Sequence, residues 1–231
     1  MIIGAIIFSR FSSKRLPGKA LVKIHGRELL GRVIDRSKLI KNIDGIIVAT
    51  SLESEDDAIA EYAIKENIQI FRGSLNNVAH RALSAAKKYN FDSFVRICGD
   101  RPFMEPEIIS DLVKTQENLN LDLVTTAFPR TLPKGLTVEI IKTAALEKAI
   151  PLIDNSSQKE HVTSYFYENS KDFAIKNIDP LLNFDFKDIS LCLDNEDDLL
   201  RSEWMASHLD NKGNHYANIT SLIRLAKEWK K

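Results

Sequence analysis

Only two cysteines occur in 231 residues, Cys98 and Cys192, far apart and each beside apolar residues. Neither a disulfide framework nor a zinc knuckle fits that usage, and a reducing cytoplasm is the expected compartment. Glycine and proline are sparse, at 9 and 7 residues, so the chain is neither collagenous nor low in complexity. Neither sign of charge is in excess, with 32 Lys and Arg against 32 Asp and Glu. A balanced chain has no global field to draw it to nucleic acid or to an anionic membrane, so neither partner is expected and any anion site must be local. Long apolar runs are missing as well. The early run from Ile2 to Phe8 is too short to span a bilayer, has no basic segment before it, and reads as a strand and not as a signal peptide. Two glycine loops that bind nucleotides, GxxxxGK[ST] and GxGxxG, are also absent.

What remains is ordinary globular composition, 44% hydrophobic and 28% charged, on a chain long enough to bury roughly 70–75% of its unfolded surface. Apolar, β-branched runs at Ile2–Phe8, Ile46–Thr50, Ile68–Phe71, Phe94–Ile97 and Leu121–Thr126 predict buried strands. Between them, Leu29, Leu30, Val33 and Ile34, then Ile59, Tyr62 and Ala63, then Ala82, Leu83 and Ala86, then Ile108, Ile109, Leu112 and Val113 keep helical spacing. This alternation predicts an α/β fold with an open, mostly parallel sheet. The second half is less regular. Strands are expected at Val138–Ile141, Phe173–Ile178 and Ile189–Leu193, helices at Lys159–Glu168, Glu196–Met205 and Ile219–Trp229, and loops at Asp179–Asp188 and His208–Asn218. We expect one domain over residues 1–231, with an elaborated half from about residue 127.

Ligands of open α/β sheets bind beyond the carboxyl ends of the strands, so the residues just after each strand are the first candidates. The segment Ser9–Lys19 gathers Arg10, Ser12, Ser13, Lys14, Arg15, Gly18 and Lys19. Short hydroxyl residues, glycine and fixed positive charge are what a polyphosphate needs, although a solvated basic loop has the same composition. After the fourth strand comes Gly99-Asp100-Arg101-Pro102. A carboxylate there suits Mg²⁺, and a Gly-Asp pair also serves simply as a turn.

These segments also carry a resemblance. SRFSSKRLPGKAL (Ser9–Leu21), FRGS (Phe71–Ser74), RICGDRP (Arg96–Pro102), PKGLTVEI (Pro133–Ile140), KEHVT (Lys159–Thr163) and LDNEDDL (Leu193–Leu199) resemble, in order, the motifs of the sugar-activating cytidylyltransferases. These include the KDO and sialic-acid types, and the match is closest to the branch named for a spore-coat polysaccharide biosynthesis protein. The resemblance implies a nucleotide-diphospho-sugar transferase (Rossmann-like) fold and transfer of CMP from CTP to a small sugar-like acceptor, with release of pyrophosphate.

Carried onto this sequence, the resemblance implies catalytic roles for Arg15, Lys19 and Asp100, and Mg²⁺ held by Asp100 and Asp194. It assigns Ser9, Arg10, Ser12, Ser13, Arg72 and Arg81 to the nucleotide and Glu139, Glu160 and His161 to the acceptor. By themselves Arg72 and Arg81 suit surface ion pairs equally well, Glu139 a polar strand position, and Glu160 and His161 a helix surface. An imidazole such as that of His161 has the chemistry of a base for an acceptor hydroxyl, and it serves a structural role equally well. Phe8, Ser9, Phe11 and Ser12 stand where the family usually has Gln, Ala, Met and Gly. His208, Asp210 and His215 lack metal-ligand spacing and are expected in solvent. A homodimer is expected from the resemblance and from the apolar stripe Ile219, Leu222, Ile223, Leu225 and Trp229. A glycosyltransferase using a nucleotide-sugar donor, or a non-catalytic relative, is the alternative. Against the former, GDRP lacks the second aspartate of a DxD motif.

Overall fold

The computed structural model describes residues 1–13, 15–180, 185, 186, 188–210 and 218–229. Lys14, His215, much of the expected loop Asp179–Asp188 and most of His208–Asn218 lie outside them. The first strand, β1 (Ile3–Phe8), is buried along almost its whole length. A hairpin of β2 (Lys23–Ile24) and β3 (Arg27–Glu28) leads to α1 (Leu29–Ser37). Then β4 (Gly45–Ser51), α2 (Asp57–Lys65), β5 (Gln69–Gly73), α3 (Val78–Lys88), β6 (Ser93–Cys98) and α4 (Pro106–Leu119) alternate as the periodicity predicts. The rest comprises β7 (Leu123–Thr125), β8 (Glu139–Lys142), α5 (Thr143–Ala149), α6 (Ser156–Glu160), α7 (Ser164–Glu168), β9 (Ile175–Asn177), α8 (Glu196–Asp210) and α9 (Ile219–Glu228).

Seven strands form one sheet in the order β5-β4-β1-β6-β8-β7-β9. Pairing is parallel except where β8 runs antiparallel to both β6 and β7. The two-residue period of a strand decides which layer each side chain enters. Ile3, Ala5 and Ile7 of β1 join Leu30, Val33 and Ile34 of α1 and Leu112 and Val113 of α4, while Ile6 joins Ala82 and Ala86 of α3 and Phe166 of α7. The sheet is thus packed between helices on both faces, the arrangement mostly parallel sheets require. A third apolar cluster, with Leu132, Leu136, Leu191, Met205, Leu209, Leu222 and Leu225, sits under α8 and α9.

Several expectations for the second half need correction. Ile189–Leu193 is not a strand: only a single bridge joins Ser190 to Lys134, and Leu191 and Leu193 owe their apolar character to burial in the cores. The expected helix Lys159–Glu168 breaks at residues 161–163, leaving the short helices α6 and α7. α8 continues through His208, whose Nδ1 lies 2.8 Å from the Trp204 carbonyl and whose ring packs on the Trp204 indole, so this residue is not in a solvated loop. Leu222, Ile223 and Leu225 of α9 are buried within the chain itself, and Trp229 packs near Trp204. The stripe on which a homodimer was expected is therefore covered from inside.

The order of the strands places the site. Chain connections run outward from β1 to β4 and β5, then return across β1 to β6, and ligands of open sheets bind where that reversal leaves a crevice. β1 and β6 are parallel and in register to their last residues, Phe8 opposite Cys98. Their following segments, Ser9–Lys19 and Gly99–Pro102, consequently start side by side, tied by a 2.8 Å bond from the Gly99 amide to the Phe8 carbonyl.

Candidate active site

The loop after β1 is pinned from beneath by an aspartate that the sequence did not single out. Asp56, in the turn between β4 and α2, is buried and accepts hydrogen bonds from the backbone amides of Phe11 at 2.6 Å and Ser51 at 2.9 Å. Burial works against its charge, but the hydrogen bonds from Ser51 and Phe11 prevail and hold its carboxyl below the ordinary range. Gly18 adopts φ +70 immediately before a short 3₁₀ turn, Lys19–Leu21, which turns Lys19 back toward the sheet edge. Ser12, where the family has glycine, is not among the positive-φ residues, so the replacement needs no strained backbone.

Asp100 and Asp194 converge, although 94 positions separate them in sequence. The Leu193 amide donates to the Asp100 carbonyl at 2.9 Å, bringing the two backbones into direct contact. Lys19 Nζ lies 3.3 Å from Asp100 Oδ2, 3.1 Å from Asp194 Oδ1 and 2.7 Å from the Leu193 carbonyl oxygen. Arg15 Nη2 meets the same Asp194 oxygen at 2.9 Å. Burial raises the Asp194 pKa, yet the bond to Lys19 and the charges of Lys19 and Arg15 bring it below its ordinary value. The side chain of Lys19 is only 15% exposed, so it is not the solvated loop residue that its position implies.

The carrier of Asp194 is held in place by two devices. Gly135 has φ +93, and a β-carbon there would lie 2.7 Å from Leu191 C and 2.9 Å from Cys192 N, so only glycine lets the PKG turn and the Leu191–Leu193 segment approach. On its other side Asn195 caps α8: its side chain accepts from the Asp198 amide at 2.9 Å, while Asp198 accepts from the amides of Asp194 and Asn195. Glu196, Asp197 and Asp198 form the acidic first turn expected for this helix.

The remaining assigned residues fall into two groups. Arg10 pairs with Glu160 at 2.9 Å, linking a residue assigned to the nucleotide with one assigned to the acceptor, and Ser9 is buried beside Gly99. Ser13 receives the Leu16 amide at 3.4 Å, and Ser12 and His161 are exposed near this rim. Arg72, Arg81 and Glu139 are already occupied. Arg72 donates to the carbonyls of Ser51 and Glu53 and pairs with Asp57, clamping the β4–α2 connection. Arg81 is buried on the Ser74 carbonyl, and desolvation followed by the nearby Arg10 charge lowers its pKa to about 10.

Glu139, which the resemblance assigns to the acceptor, is enclosed within the chain. Because β8 runs antiparallel to β6, Glu139 is next to Arg96; it is 4% exposed, with one oxygen on Arg96 and the other taking the hydroxyls of Thr163 and Tyr167 at 2.6 and 2.7 Å. Both oxygens are engaged, so Glu139 builds the wall that joins the sheet to α6 and α7. Arg96 and Tyr167 lay unassigned in the sequence. Arg96 stands inside RICGDRP, but its partner follows only from the strand order. The thiols Cys98 and Cys192 are free, and burial pushes Cys192 up to about 12, which removes it as a nucleophile.

Asp56→Ala would leave the buried Ser51 amide and the part-buried Phe11 amide without their acceptor. We expect it to cost about 1–3 kcal/mol and to raise the nucleotide KM more than it lowers kcat; urea melts and steady-state kinetics check this. An unchanged KM would show that the loop needs no such pin.

Comparison with known proteins identifies the family and the fold. A family model for cytidylyltransferases matches residues 4–199. An uncharacterized protein of Methanocaldococcus jannaschii is 37% identical over 209 residues, 90% of this chain and 84% of that protein. The spore coat polysaccharide biosynthesis protein SpsF of Bacillus subtilis is 26% identical over 199 residues, 84% of this chain and 81% of its own. A cytidylyltransferase structure from Leptospira borgpetersenii superposes with TM-score 0.90 at 29% identity, over 99% of this chain and 94% of that one. CMP:2-keto-3-deoxy-manno-octonic acid synthetase, solved with CTP, shares the fold at TM-score 0.71 and 14% identity, over 90% of this chain and 99% of that one. With the basic loop after β1, the aspartate after β6 and the second aspartate before α8 all inside the matched span, this chain belongs to the cytidylyltransferase family and is a nucleotidyltransferase.

Proposed function

We propose that this protein transfers CMP from CTP to a hydroxyl of a small sugar-like acceptor, releases pyrophosphate, and uses Mg²⁺ held by Asp100 and Asp194. The observation that carries this reading is the meeting of Arg15, Lys19, Asp100 and Asp194 at the ends of β1 and β6. The donor set suits Mg²⁺. Two carboxylates and a backbone carbonyl, all hard oxygens, already surround a cation in the form of the Lys19 ammonium. No group of three or more His, Cys, Asp or Glu arranged to hold a metal occurs among the described residues. Mg²⁺ needs no such cage, because it takes one or two carboxylates and completes its shell with phosphate oxygens and water.

Mg²⁺ held there by Asp100 and Asp194 would supply neutralisation of phosphate charge and Lewis acidity toward an acceptor hydroxyl. The work of the chain is positional and electrostatic. Arg15 and Lys19 stabilise the charge that grows on the departing pyrophosphate, and Arg10, Ser9, Ser12 and Ser13 orient the nucleotide on the loop that Asp56 fixes. Glu160, paired with Arg10, and His161 beside it line the rim where an acceptor enters, and His161 takes the acceptor proton. Arg72, Arg81 and Glu139 act behind this surface, holding the walls in shape. A small sugar-like acceptor agrees with a rim that presents Arg10, Glu160 and His161 together. We assign the activity to a reducing cytoplasm, the compartment that the two free thiols suit. No helix among the described residues is long and apolar enough to cross a membrane.

The test is pyrophosphate release with CTP, ATP, GTP and UTP in turn, each with a panel of keto-sugar acids, sugar phosphates and phosphonates. CTP should be preferred in turnover and, by calorimetry with Mg²⁺, in affinity. Equal affinity for ATP would refute the base assignment, and a requirement for a nucleotide-sugar donor would replace this reading with glycosyl transfer.

A further inference from the structure

The groups assigned to phosphate and those assigned to metal neutralise one another. We infer that Lys19 holds the place of the divalent cation in the nucleotide-free protein, so that metal and triphosphate enter by exchanging ion pairs and each strengthens binding of the other. The inference rests on the metal role proposed for Asp100 and Asp194.

An ammonium has three donors and no acceptor, and three oxygens stand within hydrogen-bond distance of that of Lys19: Asp100 Oδ2, the Leu193 carbonyl and Asp194 Oδ1. Arg15 neutralises Asp194 from the more open side, on the same Oδ1 atom. The tip of Lys19 is therefore centred on the oxygens that a metal would take, and it is largely withdrawn from water.

Two consequences follow from charge alone. A divalent ion arriving without nucleotide must share the Asp100 and Asp194 oxygens with two cations, Lys19 and Arg15, that are already paired with them. A triphosphate arriving without metal draws Lys19 and Arg15 away and leaves two carboxylates beside its own negative oxygens. When both arrive, Lys19 and Arg15 pass to phosphate, the carboxylates pass to the metal, and every charge regains a partner. Binding free energies are reciprocal, so the factor by which nucleotide tightens metal equals the factor by which metal tightens nucleotide. A lysine that served only to brace the loop would give no such coupling.

Magnesium chloride titrated calorimetrically into the full-length protein without nucleotide reads the inference directly, with no turnover involved. Lys19→Met keeps the aliphatic stem and removes the charge. It should bind Mg²⁺ at least about tenfold more tightly than the unmodified chain, within the usual range of coupling between sites. Arg15→Gln should shift affinity the same way by less, and adding Asp194→Asn to Lys19→Met should abolish the gain. Circular dichroism checks folding. If Lys19→Met fails to fold, Arg15→Gln carries the comparison, since that side chain is 65% exposed. Equal Mg²⁺ affinity in the unmodified chain and both variants, at a site lost on Asp194→Asn, would overturn the exchange and leave the metal role standing. Absence of Mg²⁺ binding in all of them, with and without CTP, would overturn both.

Discussion

Asp100→Asn and Asp194→Asn should each reduce turnover at least about a hundredfold, by comparison with the 10- to 100-fold losses seen when even outer partners of a metal are removed. Asparagine keeps the shape and one oxygen while deleting the anion, so the helices and sheet should persist by circular dichroism. The two carboxylates are joined through one ammonium and should act as a unit, which makes their effects non-additive. The double variant should accordingly be little worse than the worse single one. Near-normal turnover of both single variants in limiting Mg²⁺ would remove the metal role and most of the proposed chemistry. Neither substitution is neutral for the apo protein, since each leaves Lys19 with one anionic partner fewer. Thermal melts without metal should therefore move modestly, and the kinetic loss should far exceed what that movement explains.

Glu139→Gln should produce the largest stability loss. It leaves Arg96 in the interior without its counter-charge, and removing one member of a buried ion pair costs about 3–5 kcal/mol. For a domain of this size that corresponds to a fall in Tm of roughly 6–20 °C. Arg96→Met combined with Glu139→Gln should recover part of the loss, because the uncompensated charge is gone. The same pair sets an acid limit. Burial raises the Glu139 pKa, but Arg96 and the Thr163 and Tyr167 hydroxyls bring it down to about 2 in the folded chain, from 4.5. A carboxyl with a depressed folded pKa stabilises fully above its unfolded value and loses that contribution as pH falls toward the folded one. Unmodified protein should thus lose stability between about pH 4.5 and 2, and Glu139→Gln should have a flatter profile over that window, measured by urea midpoints at each pH. Identical pH profiles would show that Glu139 does not carry this charge.

How much of this could be read from residues alone depends on the range of the interaction. β1, β4, β5 and β6 were legible because buried parallel strands write themselves as short apolar runs. The basic loop was legible because polar residues follow such a run directly. Ile189–Leu193 misled because alternating apolar residues read as a strand, whereas here the alternation seats Leu191 and Leu193 in neighbouring cores with a single bridge at Ser190. Lys159–Glu168 misled for a related reason: helical composition cannot show that the chain turns at residues 161–163 to present Thr163 to Glu139. Asp56 stands in the acidic run Glu53–Asp57, where nothing local sets it apart from its neighbours. Its partner Phe11 is 45 positions away. Glu139 looked available because nothing in its local sequence names Arg96, which comes alongside only after β8 inserts between β6 and β7.

The bond between Lys19 and Asp194 spans 175 of the 231 positions. During synthesis the loop after β1 emerges well before the segment bearing the second aspartate, and α8 and α9 come later still to bury Leu191. Domains generally fold as units while they are made, so the nascent chain displays its basic loop long before it can complete the constellation. Until the residues around Asp194 have emerged, the charges that face one another in the folded chain cannot meet.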